Sequence, residues 1–152
     1  MIAAIAAVVT IAIADQPAQL VVDDRWQAVA AAPVPDGPAL VMRDDRGDLL
    51  AVTVAQAPNT DAWIKKKRDA YEQAIVDGFV ATPGVTVKKH ATSMVMGTPC
   101  VDLVLDRSGP VAVRLLLFRT RTVAIAVSAT DARWASSTAL GLAPIHQADP
   151  DR

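Results

Sequence analysis

The amino-acid sequence predicts an α+β domain in which a mainly antiparallel, twisted sheet of six to seven strands is flanked by two helices. The chain has 152 residues, of which 52% are hydrophobic, so we expect one domain with a substantial core. Short valine-rich runs alternate with turns that contain Gly, Pro or Asp, which is typical of strands joined as hairpins. Two segments with helical spacing lie among these runs, which gives the order β-β-β-α-β-β-β-β-α.

The N-terminus resembles a secretory signal. Ile2 to Ala14 is an apolar run broken only by Thr10, and it ends in the small residues that a signal peptidase reads. We therefore expect residues 1–14 to be a signal peptide, although no basic residue precedes Arg25, which leaves open a start upstream of Met1. The run is too short to span a membrane. Two alternatives remain: an uncleaved anchor, which would be the chain's one membrane contact, or a buried strand or helix of the domain.

The remaining chain divides into a single domain, residues 15–144, and a polar tail, residues 145–152. A first strand is expected from Leu20 to Ala30. A hairpin follows, with strands Ala39–Arg43 and Leu49–Gln56. Its turn contains aspartates that can accept hydrogen bonds from backbone amides, and a glycine that can take the positive φ required there.

A helix is predicted from about residue 60 to 78. Asn59 or Thr60 can cap its first amides, and Asp61 complements the helix dipole. At 100° per residue one stripe of the helix is apolar and the opposite stripe is polar. The apolar stripe contains Trp63, Ile64, Tyr71, Ala74 and Ile75, and the polar stripe contains Lys65, Asp69, Glu72 and Gln73.

Four more strands and a closing helix complete the predicted domain. The strands are Val85–Ala91 with an extension over 93–96, Cys100–Asp106, Val111–Phe118 and Val123–Ala129. Arg119 to Thr122 forms the tip of the last hairpin, and Thr130-Asp131 begins a helix that carries Trp134 and ends near Leu140.

This arrangement resembles the PsbP-like fold. The resemblance is carried by the hairpin Ala39–Gln56, the helix with Trp63 and Tyr71, the turn Met96-Gly97-Thr98-Pro99 and the closing helix with Trp134, and it covers about residues 20–142. Photosystem II extrinsic proteins, a Ran-binding nuclear import factor and several bacterial envelope proteins and lipoproteins share this fold. The resemblance implies a twisted antiparallel sheet flanked by helices, and a binding or assembly role. It assigns no functional residue.

The sequence contains no motif that indicates catalysis or a cofactor. His90 and His146 are far apart and have no ligand at metal-binding spacing, and Cys100 is the only cysteine. There is no nucleophile elbow and no phosphate-binding glycine pattern. We therefore expect no enzyme activity, no cofactor and no metal.

Charge argues against nucleic-acid binding. The net charge is −1, and the basic run Lys65 to Arg68 would surround a helix instead of forming a patch.

Two functions remain. The favoured one is a non-catalytic binding or assembly module of the cell envelope, secreted or periplasmic, whose unknown protein partner contacts Arg119 and Arg121. The alternative is a small-molecule or lipid-binding domain with a pocket between sheet and helix, lined by Trp63, Tyr71 and Trp134. If residues 2–14 belong to the core, we expect a cytoplasmic protein instead.

Overall fold

Two antiparallel sheets and one α-helix are formed by the residues that the computed structural model describes, namely 8–12, 18–23, 26–29, 40–95, 97–128 and 142–144. The strands are β1 (Val8–Ala12), β2 (Ala18–Asp23), β3 (Gln27–Ala28), β4 (Leu40–Arg43), β5 (Leu49–Ala55), β6 (Thr86–Val95), β7 (Thr98–Asp106), β8 (Pro110–Leu117), β9 (Thr122–Ser128) and β10 (Leu142–Pro144). A 3-10 helix, Thr60–Trp63, precedes the α-helix α1, Lys65–Val80.

The larger sheet has seven strands in the order β3-β4-β5-β9-β8-β7-β6, and all neighbours are antiparallel. Tight turns connect β4 to β5, β6 to β7, β7 to β8 and β8 to β9. The first three contain a glycine, and the fourth lies at the predicted hairpin tip that begins at Arg119. The predicted class, an α+β protein with an antiparallel sheet, is therefore confirmed. The second sheet, in the order β1-β2-β10, was not predicted.

Both faces of the large sheet are buried, because its central strands are apolar on both sides. One face packs against α1; we call this the helix-side core. It includes Val76, Val101, Leu103, Val113, Leu115 and Leu117. The opposite face, the far-side core, includes Trp26, Met42, Leu50, Val52, Leu116, Phe118, Val123, Ile125 and Val127.

The β4–β5 turn forms as its residue types predict. Gly47 has φ = +85°, and the Asp44 carboxylate accepts hydrogen bonds from the amides of Arg46 (3.0 Å) and Asp48 (2.9 Å). The Arg-Gly-Asp sequence within this turn is thus explained by turn chemistry.

The predicted helix over 60–78 is two helices. Ile64 has φ = −102° and ψ = 111°, which interrupts the helical path between the 3-10 helix and α1. The Arg68 Nε donates to the carbonyl oxygen of Ala62 at 2.6 Å and so links the two segments. The predicted capping by Asn59 or Thr60 is wrong for Asn59, whose side chain makes no cap hydrogen bond.

This interruption also corrects the predicted helix faces. Glu72 is buried and Ala74 is exposed, the reverse of the prediction. The prediction rotated a continuous helix from Trp63 and Ile64, but neither residue belongs to α1. Counting 100° per residue from Trp63 and Ile64 therefore assigns the residues of α1 to the wrong sides of the helix. Trp63, Tyr71 and Ile75 do pack against the helix-side core as expected.

The first predicted strand, Leu20–Ala30, is divided. β2 ends at Asp23 and lies in the small sheet, whereas β3 begins at Gln27 and lies at the edge of the large sheet. The charged run Asp23-Asp24-Arg25 separates them in the sequence. Trp26, 4% exposed, contributes to the far-side core.

The backbone of β1, within the expected signal peptide, pairs with β2 at the edge of the small sheet. The pairing of β1 with β2 corresponds to the alternative in which the apolar run belongs to the domain. Export of the protein remains a prediction. The predicted closing helix with Trp134 and the tail 145–152 lie outside the described residues.

Candidate functional site

The turn between β8 and β9 is held by Asn59, which is 3% exposed. Its Nδ2 lies within hydrogen-bonding distance of the carbonyl oxygens of Phe118 (2.8 Å) and Arg121 (3.0 Å) and of the Thr122 hydroxyl (2.9 Å), so its two N–H groups are shared among three acceptors. Its backbone amide donates to the Arg119 carbonyl at 2.9 Å. Four groups of the turn are therefore bonded to a single residue that precedes the 3-10 helix.

Asn59 is in turn oriented by α1. The Tyr71 hydroxyl donates to Asn59 Oδ1, so that both ends of the side-chain amide have partners. Burial, assisted by the nearby charge of Asp61, raises the pKa of Tyr71 above its ordinary value of 10.0, so the hydroxyl keeps its proton at neutral pH. Tyr71 is thus a structural hydrogen-bond donor.

Arg119 lies on the outer surface of this turn, where it covers Trp63. The guanidinium carbon lies 4.5 Å from the centre of the indole ring, which is a cation–π geometry. The indole Nε1 donates to the Leu117 carbonyl at 2.9 Å. Arg119 is exposed, while Arg121 is half-buried and its carbonyl faces Asn59.

These contacts bring together residues that the sequence assigned to two different sites. Arg119 and Arg121, expected to contact a partner, lie beside Trp63 and Tyr71, expected to line a pocket. We use the name Arg119 turn for the β8–β9 turn together with the three residues that support it, Asn59, Trp63 and Tyr71. Both aromatic rings pack against the helix-side core, and both of their polar atoms have protein partners. The third expected pocket residue, Trp134, lies outside the described residues.

A cavity of about 470 Å³ lies elsewhere, between the C-terminal end of α1 and the large sheet. Its lining is mostly apolar, with one cationic side chain. The lining residues are Phe79, Thr82, Val85, Leu105, Arg107, Val111, Val113, Ala126 and Ser128. We call it the helix-end cavity; it lies between sheet and helix, as the alternative function requires, but contains none of the aromatic residues named for it.

An ion pair that the sequence reasoning missed lies on the far face of the sheet. Arg114, 7% exposed, binds Asp102 on the neighbouring strand through two contacts, Nε–Oδ1 at 2.8 Å and Nη2–Oδ2 at 2.9 Å. The hydrogen bond to Asp102 raises the pKa of Arg114. A bidentate pair of this kind fixes the register of β7 against β8. The ion pair could not be predicted from the sequence, because it depends on the register that places Asp102 opposite Arg114.

Cys100 neighbours this pair and is not activated by it. The thiol is buried and lies 3.7 Å from an Asp102 carboxylate oxygen. Burial, with a further contribution from the Asp102 charge, raises the pKa of Cys100 to about 12. The thiolate is therefore scarcely populated at neutral pH, which makes the thiol a poor nucleophile.

A second cavity, of about 350 Å³, lies between α1 and β6. Glu72, 3% exposed, contributes to its wall, with Asp69 beside it on α1 and His90 and Thr92 facing it from β6. Burial is the main cause that raises the pKa of Glu72, and the hydrogen bond from Thr92 and the charge of Arg68 oppose it.

Among the residues that the structure describes, no group of three or more His, Cys, Asp or Glu side chains is placed to hold a metal ion. Within the same part of the chain, none of the helices is long and apolar enough to cross a membrane.

The described strands and helix form an antiparallel-sheet fold of the α+β class, and comparison with solved structures finds a similar fold. The solution structure of cyanobacterial PsbP (CyanoP) from Synechocystis sp. PCC 6803 is similar, with a TM-score of 0.61 over 93% of this chain and 94% of that chain. The sequence identity is 13%, so the likeness establishes the fold alone. The PsbP-like fold inferred from the sequence pattern is confirmed. No family model and no curated protein matches the sequence.

Glu72 generates a prediction about stability and pH. Because its folded-state pKa lies above the ordinary 4.5, its contribution to stability is fully present below about pH 4.5 and is lost as pH rises through the folded pKa. Glu72→Gln, which can keep the contact with Thr92, should therefore stabilise the protein at pH 7 relative to the parent and differ little from it at pH 4. Urea unfolding at both pH values measures this.

The matched control is Asp45→Asn, which removes one negative charge from an exposed position in the β4–β5 turn, away from Glu72. It should retain the parent's loss of stability between pH 4 and pH 7. A Glu72→Gln protein whose stability changes with pH as the parent's does would contradict this account.

Proposed function

We propose that the chain is a non-catalytic protein-binding or assembly module of the cell envelope, and that the Arg119 turn contacts its partner. The observation that carries the proposal is the Arg119 guanidinium, exposed to solvent yet fixed against Trp63 on a turn that Asn59 holds from inside. A side chain already ordered in the free protein loses less conformational entropy on binding. Arginine also provides a planar set of donors and is enriched at interface hot spots.

The chemistry of the described residues supports a non-catalytic role. Burial raises the pKa of the Cys100 thiol to about 12, and the Asp102 carboxylate is engaged by Arg114. His90 lies on an exposed strand. A nucleophile and a base within hydrogen-bonding distance of each other are what covalent catalysis needs, and these groups do not provide them.

The envelope part of the proposal rests on the N-terminal apolar run and its small-residue end. Cleavage after Ala14 would remove β1, which pairs with β2 at the edge of the small sheet. The pairing of β2 with β10 and all seven strands of the large sheet would remain. The described fold is therefore compatible with a mature protein that begins at Asp15, and the intact mass of protein purified from envelope fractions reports where it begins.

The partner contact is tested by recovery of bound protein from envelope extracts after crosslinking. Replacing Arg119 and Arg121 with Ser should reduce recovery of the parent's partner at least tenfold, because the charge and the ordered guanidinium are both lost. The control replaces Arg46 and Arg107 with Ser. These exposed arginines lie in the β4–β5 and β7–β8 turns, and their removal changes the net charge equally.

The control should recover the partner as the parent does. Circular dichroism and urea unfolding establish that each variant is folded. Unchanged recovery by a folded Arg119/Arg121 variant would exclude the Arg119 turn as the contact.

The helix-end cavity favours a second candidate function, the binding of a small amphiphile. A volume of about 470 Å³ lies within the range of small-molecule sites, and its mostly apolar lining with Arg107 suits a ligand with an apolar body and an anionic end. This function would depend on Arg107, whereas the protein-binding function depends on Arg119. A fluorescent fatty acid should bind the Arg119/Arg121 variant as it binds the parent and bind the Arg46/Arg107 variant more weakly, which separates the two candidates.

A further inference from the structure

The two edges of the large sheet differ sharply. One edge is β3, which has two residues, and the other is β6, which has ten. Within the described part of the chain, β6 pairs only with β7, so one side of its backbone has no strand beside it. All of its side chains except Val87 and Val95 are exposed. A long open edge presents a row of backbone donors and acceptors to another strand.

Proteins often protect such edges with a bulge and lysines, and β6 has both at its beginning. The register shifts between Val87 and Lys89, and Lys88 and Lys89 are exposed. From Lys89 to Val95, however, the pairing with β7 is regular and no charge follows Lys89. This part includes Met94, which is 47% exposed. The protection therefore covers one end of the edge and leaves seven residues available for pairing.

The charge of β6 indicates which strand could pair there. The strand contains two lysines and no acidic residue. Three of the acids near the strand are engaged or buried: Asp102 binds Arg114, Asp106 accepts a hydrogen bond from the Gly109 amide, and Glu72 lies buried on α1. The fourth, Asp69, is exposed on α1 and lines the cavity between α1 and β6. A second copy of β6 paired in parallel would place lysines beside lysines. Paired antiparallel, it would place them opposite the uncharged end at Val95, where no acid meets them, whereas an acidic strand is complementary.

We propose that the open edge of β6 binds an extended acidic segment of a partner protein by strand addition. Backbone hydrogen bonds along residues 89–95 supply the affinity, and Lys88 and Lys89 select for acidic side chains. The inference rests on the proposed protein-binding function and names the chemistry of the partner. It uses a surface separate from the Arg119 turn.

The test uses the full chain and a fluorescent ten-residue peptide that alternates valine and glutamate. Three peptides are compared: this one, the same peptide with lysine in place of glutamate, and the acidic peptide with alternate backbone amides methylated. The acidic peptide should bind at least tenfold more tightly than either of the others. Amide hydrogen exchange should show protection within β6 when it binds.

The double variant Lys88→Glu/Lys89→Glu should reverse this preference, losing at least tenfold in affinity for the acidic peptide and gaining affinity for the lysine peptide. The matched control is Lys65→Glu/Lys66→Glu, which makes the same charge change at exposed positions at the start of α1. The control should bind within twofold of the parent, and its folding is checked alongside.

Three results would overturn the inference: equal binding of the methylated peptide, protection of a segment other than β6, or self-association of the parent through β6 without peptide. Because the assay contains no native partner, its failure overturns strand addition alone. The recovery experiment with the Arg119/Arg121 variant decides the proposed function separately.

Discussion

Asn59 joins three parts of the protein that are distant in the sequence. Its side chain connects the segment before the 3-10 helix to the β8–β9 turn, 59 to 63 residues later, and Tyr71 of α1 fixes its orientation. A buried amide stabilises a fold only when its donors and acceptor are all satisfied, because each unsatisfied group costs about 1–3 kcal/mol. Here the amide has partners at both ends, so the helix, the turn and the ends of β8 and β9 are positioned together.

This constraint links the interior to the surface on which the proposed function depends. The turn that Asn59 holds carries Arg119, and the neighbouring indole of Trp63 is both hydrogen-bonded to Leu117 and covered by that guanidinium. An exposed charge is therefore held in one place by buried contacts. At the other end of the sheet the turns have their own internal bonds, such as those of Asp44. At the edge formed by β6, no further strand pairs with its backbone within the part of the chain that the structure describes.

The sequence predicted the parts of the fold that depend on local pattern. The hairpins follow from alternation and turn residues, and their bounds agree within about two residues, as for β4 and β5. It failed where a residue's role depends on a distant neighbour. Asn59 matches a helix cap by type, and only the β8–β9 turn shows that its amide is used elsewhere. Predicting the ion pair between Arg114 and Asp102 requires the register of β7 against β8. Predicting the burial of Glu72 requires knowledge of the break in the helix at Ile64.

The most direct test of the role of Asn59 is its replacement with Asp, measured by urea unfolding at pH 7. Aspartate is as good a helix cap as asparagine, so a capping role would tolerate the change. The geometry predicts the opposite, because a carboxylate cannot donate to the carbonyls of Phe118 and Arg121 and would be buried among acceptors. We expect a loss of at least about 3 kcal/mol in the free energy of unfolding. A loss below about 0.5 kcal/mol would contradict the account.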